Sequence, residues 1–257
     1  MKLRMSCLAL CPTLLAATLL VSAPSAAQSS ADLSNKIKAA MQMDYRTEAE
    51  LARDANRAPI EALAFMGLQD DMTVVEFVPS RQAWYSKLLA PVLVDKGELH
   101  VIDSNNTFES WGDLLKNPVF KNTHKIPVDL SYNREEGRYN LGELDVGVTD
   151  ADLFLNIREY HNFNAADRAR LNQMTFDTLK SGGRYVVIDH TRRHMQPEEA
   201  PLGRREDPVQ VIIEVQAAGF VLEKASDMFY RPVDTLDKEV REFRGRTDRF
   251  FFVFKKP

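Results

Sequence analysis

The strongest constraint on this chain is a change of hydrophobic period that recurs along it: short runs of β-branched and aliphatic residues, each followed by a segment whose apolar residues return at helical spacing. Thr73–Val78, His100–Asp103, Ala151–Ile157 and Arg184–Asp189 are such runs, continuous enough to be strands buried on both faces. Lys125–Leu130, weakened by Pro127, reads as another, and Phe220–Leu222 and Phe250–Phe254 as two more. Between them, Pro59 opens a helix that Gly67 closes, and Trp84, Leu88, Leu89 and Val92 share one face of a helix over Trp84–Val94. Asn164 caps a long helix to Lys180, and Pro208 opens one that Gly219 ends. Leu33, Ile37, Ala40 and Met41 mark a helix ahead of the first strand. This alternation predicts an α/β fold of three layers, a mostly parallel seven-stranded sheet with helices on both faces.

The first 27 residues stand apart from that pattern. Lys2 and Arg4 precede an apolar run from Cys7 to Val21, and Ser22 to Ala27 are small residues, which is the layout of a secretory signal peptide cut near Gln28. The run is too short for a membrane span, so no span is expected after cleavage, and the protein is expected to be exported, to the periplasm. Both cysteines, Cys7 and Cys11, fall inside this segment, so the exported chain has no thiol chemistry and no disulfide. Residues 28–56 then read as an N-terminal helical extension and 57–257 as one domain. The net charge of -4 argues against a nucleic-acid partner. Glycine is scarce, 11 in 257 residues, and none lies between Gly67 and Gly97.

In an open parallel sheet, ligands sit beyond the carboxyl ends of the strands, beside the first one. That rule nominates Glu76–Gln82, Asp103–Asn106, Asp129–Tyr132, Asn156–Asn162 and Asp189–Arg193. Asp103 follows the first loop by about 20 residues, the offset at which an acid meets a ribose hydroxyl, although a strand-end aspartate reads the same way. His190 and His194 stand four apart, but no glutamate follows His190 and the segment contains a proline, so no metal site is expected. Arg241, Arg244, Arg246 and Arg249 alternate with acids and read as a solvated face. The polar stretch His190–Asp207 reads as the most mobile loop.

The succession Met72-Thr-Val-Val-Glu76, Trp84-Tyr-Ser-Lys-Leu-Leu-Ala-Pro91, Asp152-Leu-Phe-Leu-Asn156, His161-Asn162, Leu179-Lys-Ser-Gly-Gly183 and Val187-Ile-Asp-His190 resembles class I S-adenosylmethionine-dependent methyltransferases. With the ending Gly245-Arg-Thr-Asp-Arg-Phe250 and Lys255-Lys-Pro257, it is similar to a group of exported bacterial predicted methyltransferases, over residues 56 to 257. The resemblance implies a Rossmann-like methyltransferase fold and S-adenosylmethionine as cofactor. Carried over by position, it implicates Glu76, the loop Pro79, Ser80, Arg81, Gln82 and Ala83, then Asp103, Asp129 and Asn156 in cofactor binding. It further implies a small-molecule acceptor, with His161 as base beside Asn162, His190 as a second candidate base, and Arg192 and Arg193 as holders of an anionic acceptor. Each histidine has an alternative reading as a hydrogen-bonded or capping residue. The family's first loop is rich in glycine, which admits unusual dihedrals and close backbone approach. Here it carries Ser80, Arg81 and Gln82 instead. Two other classes therefore stay open: a non-catalytic small-molecule binder on the same fold, and a hydrolase-like enzyme using His161 or His190 without the cofactor.

Overall fold

The computed structural model describes residues 26–199, 202–243 and 245–257. Apart from its last two residues, the signal-peptide segment lies outside them. The strands are β1 (Thr73–Phe77), β2 (Glu98–Asp103), β3 (Thr123–Pro127), β4 (Leu130–Asn133), β5 (Arg138–Leu141), β6 (Ala151–Ile157), β7 (Leu179–His190), β8 (Val221–Ser226) and β9 (Arg249–Lys255). The helices are α1 (Ala26–Met41), α2 (Glu48–Leu51), α3 (Asp54–Arg57), α4 (Pro59–Met66), α5 (Ser86–Leu93), α6 (Asn105–Ser110), α7 (Ala165–Thr178) and α8 (Pro208–Ala217).

Seven strands make one sheet in the order β3-β2-β1-β6-β7-β9-β8. The first five are parallel to their neighbours, and β9 runs antiparallel to both β7 and β8. Pleating sends alternate residues of β1 to opposite layers. Val74 joins Leu63, Leu88 and Ile37 under α1, α4 and α5, while Val75 and Phe77 join Phe163, Leu171 and Val211 under α7 and α8. The three expected layers are thus present, and β9 is buried from Arg249 to Phe254 between β7 and the edge strand β8. Helix ends follow the sequence signals. Asn164 Oδ1 accepts the Asp167 amide at 2.9 Å, and Gly67 closes α4 at φ 82°, which a side chain would strain.

Four details differ from the sequence reading. The third strand is Thr123–Pro127, earlier than expected, because this edge strand carries half-exposed His124 and Lys125 and gives little apolar signal. The segment after it folds into an antiparallel hairpin of β4 and β5, which sequence periodicity did not mark. The N-terminal extension packs into the main core through Leu33, Ile37 and Ala40, and it is tied down where Lys87 meets Glu50 at 2.7 Å and Trp84 Nε1 donates to the Glu50 carbonyl at 3.1 Å. Finally, Arg249 is not on a solvated face. It is buried with its guanidinium 4.3 Å from the Phe229 ring centroid. No helix among the described residues is long and apolar enough to cross a membrane.

Candidate functional site

The strand order reverses between β1 and β6, and a cavity of about 780 Å³ opens beyond the strand ends there. Its first wall is the glycine-poor loop. Val78 donates its amide to the Ile102 carbonyl at 2.7 Å, then the backbone turns left-handed at Val78 (φ 50°), Ser80 (φ 62°) and Ala83 (φ 48°). The path that glycine would make easy is therefore taken by residues with side chains. Two hydrogen bonds hold it. The Ser80 amide donates to Asp103 Oδ2 at 3.0 Å, and Trp111 Nε1 donates to the Ser80 carbonyl at 3.0 Å. Left-handed backbone costs an L-residue about 1–2 kcal/mol. Ser80 is exposed, so Ser80→Gly removes that strain with little lost packing. After allowance for the greater freedom of glycine in the unfolded chain, the substitution should stabilise by about 0.5–1 kcal/mol. A higher urea midpoint with unchanged slope is the expected result, and a lower midpoint would contradict it.

Glu76 and Asp103 end β1 and β2 at the cavity. Glu76 is buried and accepts a hydrogen bond from Ser86 Oγ at 2.6 Å. Burial dominates, raising its pKa to about 8, so the carboxyl holds its proton at neutral pH. The native state then binds a proton that the unfolded chain releases above about 4.5, and stability falls as pH rises from there toward 8. Glu76→Gln keeps an acceptor for Ser86 without the charge. It should match the parent near pH 5 and exceed it by on the order of 2 kcal/mol at pH 9, as measured by urea denaturation at the two pH values. Equal stability of the two proteins at pH 9 would contradict this. Asp103 is also raised by burial, offset in part by its hydrogen bonds from Thr107 and from the Ser104 and Ser80 amides.

The opposite wall comes from β6 and β7. His161 follows β6 and is buried, with Nδ1 placed 2.8 Å from Asp189 Oδ1 at the end of β7. The same carboxylate accepts the backbone amides of His161 at 2.9 Å and His190 at 2.7 Å. Burial opposes an imidazolium here, but the charge and hydrogen bond of Asp189, with Glu159 beyond, more than offset it and raise the His161 pKa. With Nδ1 committed to Asp189, Nε2 is the atom left to serve the cavity. Glu159 accepts from Asn162 Nδ2 at 2.7 Å, and burial lifts its carboxyl to about 7. His190 has a different character. Arg158 Nε donates to its Nε2 at 3.1 Å, so Nδ1 carries the proton and donates to Thr247 Oγ1 at 2.7 Å. Burial and then the adjacent charge of Arg158 keep this ring neutral. His190 therefore orients Arg158, and both of its nitrogens are occupied.

The structure brings Glu76, Pro79, Ser80, Arg81, Gln82, Asp103, His161, Asn162 and His190 to this one cavity. It does not bring the others. Ala83 is buried in the layer under α5. The pleat of β6 turns Asn156 toward α7, where Nδ2 donates to Tyr185 Oη at 3.3 Å. Asp129 lines a separate shallow depression with Asn105 and Val128. Arg192 is buried 3.6 Å from Glu198, and Arg193 donates to the Thr235 carbonyl at 2.9 Å, so neither serves the cavity. His194 pairs with Asp207 at 2.9 Å, away from His190. The loop from His190 to Asp207 is fastened at both ends, because Glu206 donates its amide to the His190 carbonyl at 2.8 Å and Arg192 donates to that of Glu206 at 2.9 Å. Among the described residues, the metal-like grouping of donors is Glu98, His100 and His124, and none of these lines the cavity.

Sequence reasoning missed several wall residues: Arg53 from the N-terminal extension and Arg57 just after it, Tyr139 from the hairpin, and Arg204 and Arg241, whereas Tyr132 of the same hairpin falls in the nominated stretch Asp129–Tyr132. The four-residue spacing of Arg53 and Arg57 was the available signal for the first pair, since it places both on one helical face. Asp189, the partner of His161, ends a predicted strand, but its contact across to the loop after β6 is a matter of tertiary register.

No known family profile matches the sequence, and no curated protein matches it. Solved structures do. A methyltransferase dependent on S-adenosylmethionine from Aquifex aeolicus superposes with a TM-score of 0.57 at 14% identity, covering 86% of this chain and 97% of that one. The (4+2)-cyclase SpnF gives 0.59 at 14% identity, covering 91% and 98%. Human N-acetylserotonin methyltransferase, solved in complex with S-adenosylmethionine, gives 0.53 at 10% identity, covering 89% and 56%. At these identities the likeness establishes the fold, the three-layer Rossmann-like fold of class I methyltransferases. Those names include more than one kind of reaction, so chemistry must be argued from the site.

Proposed function

We propose that the protein is an S-adenosylmethionine-dependent methyltransferase acting on a small acceptor, exported to the periplasm after loss of residues 1–27. The observation that carries this reading is the convergence, at the switch point of this fold, of two strand-end acids with an imidazole backed by a buried carboxylate. Glu76 and Asp103 stand on one side and the His161–Asp189 pair on the other. The residues present fit the cofactor. A cavity of about 780 Å³ accommodates a nucleoside-sized ligand and a small acceptor together, and the first loop keeps its left-handed path without glycine. Glu76 would meet the amino group and Asp103 the ribose end. When bound, the cofactor supplies an electrophilic methyl group. The chain's own contribution is positioning and proton removal: His161 Nε2 takes a proton from the acceptor, and Asp189 stabilises the imidazolium that results.

A second reading, a non-catalytic binder in the same cleft, is favoured by one feature. Both oxygens of Asp103 already accept backbone amides, Oδ1 from Ser104 at 2.6 Å and Oδ2 from Ser80 at 3.0 Å. The two readings part on product formation. The purified protein, incubated with S-adenosylmethionine and a small-molecule extract of the periplasm, should release S-adenosylhomocysteine above the rate seen without extract. Cofactor binding with no such release across all fractions of the extract supports the binder. The export proposal has its own check, since the protein recovered from the periplasm should begin near Gln28, and recovery of the chain with Met1 intact would contradict it.

A further inference from the structure

The cavity carries more positive charge than a single cofactor can use. Six arginines line it, Arg53, Arg57, Arg81, Arg158, Arg204 and Arg241, against three carboxyl groups. Of those three, Glu76 is held protonated at neutrality and Glu159 is lifted to about 7, so it is only partly ionised there. The arginines nearest the strand ends lack acidic partners. Among the described residues, Arg57 has no carboxylate in ion-pair range, and its guanidinium lies over Trp84 at 4.5 Å and Tyr85 at 5.5 Å from the ring centroids. Arg158 spends Nε on His190 and has no carboxylate in range either. Its backbone is left-handed, φ 66°, so the loop holds this side chain at some cost. Among the described residues, Arg53 hydrogen-bonds the neutral amide of Gln82 and feels the charge of Glu50 from further off. Arg57 is close enough to Arg53, Arg158 and Arg249 to feel all three, and after burial they lower its pKa to about 10, which leaves it charged. Even half-buried cations that lack a carboxylate in ion-pair range are costly unless something completes them.

We propose that Arg57 and Arg158, flanked by Arg53, receive an anionic group of the methyl acceptor, so that the acceptor is a small carboxylate- or phosphate-bearing molecule. The inference rests on the methyltransferase reading for the word acceptor, not for the anion site itself. S-adenosylmethionine brings one carboxylate but also a sulfonium and an ammonium, so by itself it adds positive charge to a cavity already cationic. The guanidinium fork matches carboxylate and phosphate oxygens equally well. A cofactor carboxylate and an acceptor anion share that chemistry, and the experiment separates them.

Inorganic phosphate is the probe, titrated calorimetrically into the protein alone and into protein saturated with S-adenosylhomocysteine. Saturable phosphate binding that persists in the saturated protein supports the proposal. Arg57→Met and Arg158→Gln should each weaken phosphate at least about tenfold, the value of one lost charge-assisted contact, and leave S-adenosylhomocysteine within about threefold. Thermal melts of both variants establish that they are folded, and Arg57→Lys should recover part of the loss. Phosphate binding abolished by S-adenosylhomocysteine would assign the arginines to the cofactor and overturn the acceptor proposal. Absence of saturable phosphate binding, or binding indifferent to both substitutions, overturns the site altogether. Phosphate binding that needs both arginines, in a protein that takes no S-adenosylhomocysteine, keeps the anion site and removes the methyltransferase reading.

Discussion

Exchanging His161 for alanine is expected to slow methyl transfer by about 10²- to 10⁴-fold, the usual contribution of a positioned general base. Its imidazole has one nitrogen committed to Asp189 and the other left for the cavity, while His190 has both nitrogens occupied. His190→Ala should therefore act through Arg158, raising KM for the acceptor more than it lowers kcat. The pH profile tests the role of Asp189 separately. The base works when neutral, so the rate should climb through the His161 pKa, which lies above that of an ordinary histidine. Asp189→Asn removes the raising charge, and the rising limb should move to lower pH. Because Asp189 also anchors two backbone amides, a thermal melt is needed beside the kinetics. A folded His161→Ala protein with full activity would remove this residue from the chemistry.

The largest expected loss of stability comes from a buried pair whose two residues do not line the cavity. Arg205 and Asp234 have wholly buried side chains and meet in a two-point contact, Nη1 to Oδ2 at 2.9 Å and Nη2 to Oδ1 at 3.0 Å. Arg205 also donates to the carbonyls of Lys238 and Thr191, both at 3.0 Å, and Asp234 accepts the amides of Asp248 at 2.7 Å and Leu236 at 3.0 Å. The pair thus joins the loop after β7, the segment before β9, and the neighbour of the wall residue Arg204. Either Arg205→Met or Asp234→Asn leaves one buried charge without its partner, and each should destabilise by about 3–5 kcal/mol. In a chain of this size that lowers Tm by roughly 10 °C. Replacing both together should cost less than the two single losses combined, because the partners share one interaction. Single variants within 1 kcal/mol of the parent would show that the contact is not maintained in solution.

What could be read from sequence follows from where the signal lies. The buried inner strands announce themselves through largely apolar runs such as Thr73–Val78 and Phe250–Phe254. Once a parallel sheet is inferred, the rule of carboxyl ends points to Glu76, Asp103, His161 and His190 before any coordinates. Asn156 shows the limit of that rule, because the pleat alternates and its side chain faces the α7 layer. The hairpin of β4 and β5 was hidden because its strands are four residues each and half-exposed, with Tyr132 and Tyr139 paired across it. Arg53 and Arg57 were hidden for another reason. They read as part of a charged stretch at the end of the extension and the start of the domain, and tertiary contacts, Arg57 over Trp84 and Arg53 with Gln82, bring them to the cavity. The missing glycines were legible as residues, but not as geometry: the loop keeps left-handed dihedrals at Val78, Ser80 and Ala83 all the same.

Whether this loop still receives a nucleoside cofactor is the central question, and calorimetric titration of the purified protein with S-adenosylmethionine and S-adenosylhomocysteine answers it most directly. Saturable binding of both ligands at one site per chain, each displacing the other, is the predicted result. No heat at millimolar ligand, in a protein shown by circular dichroism to be folded, would contradict the methyltransferase reading.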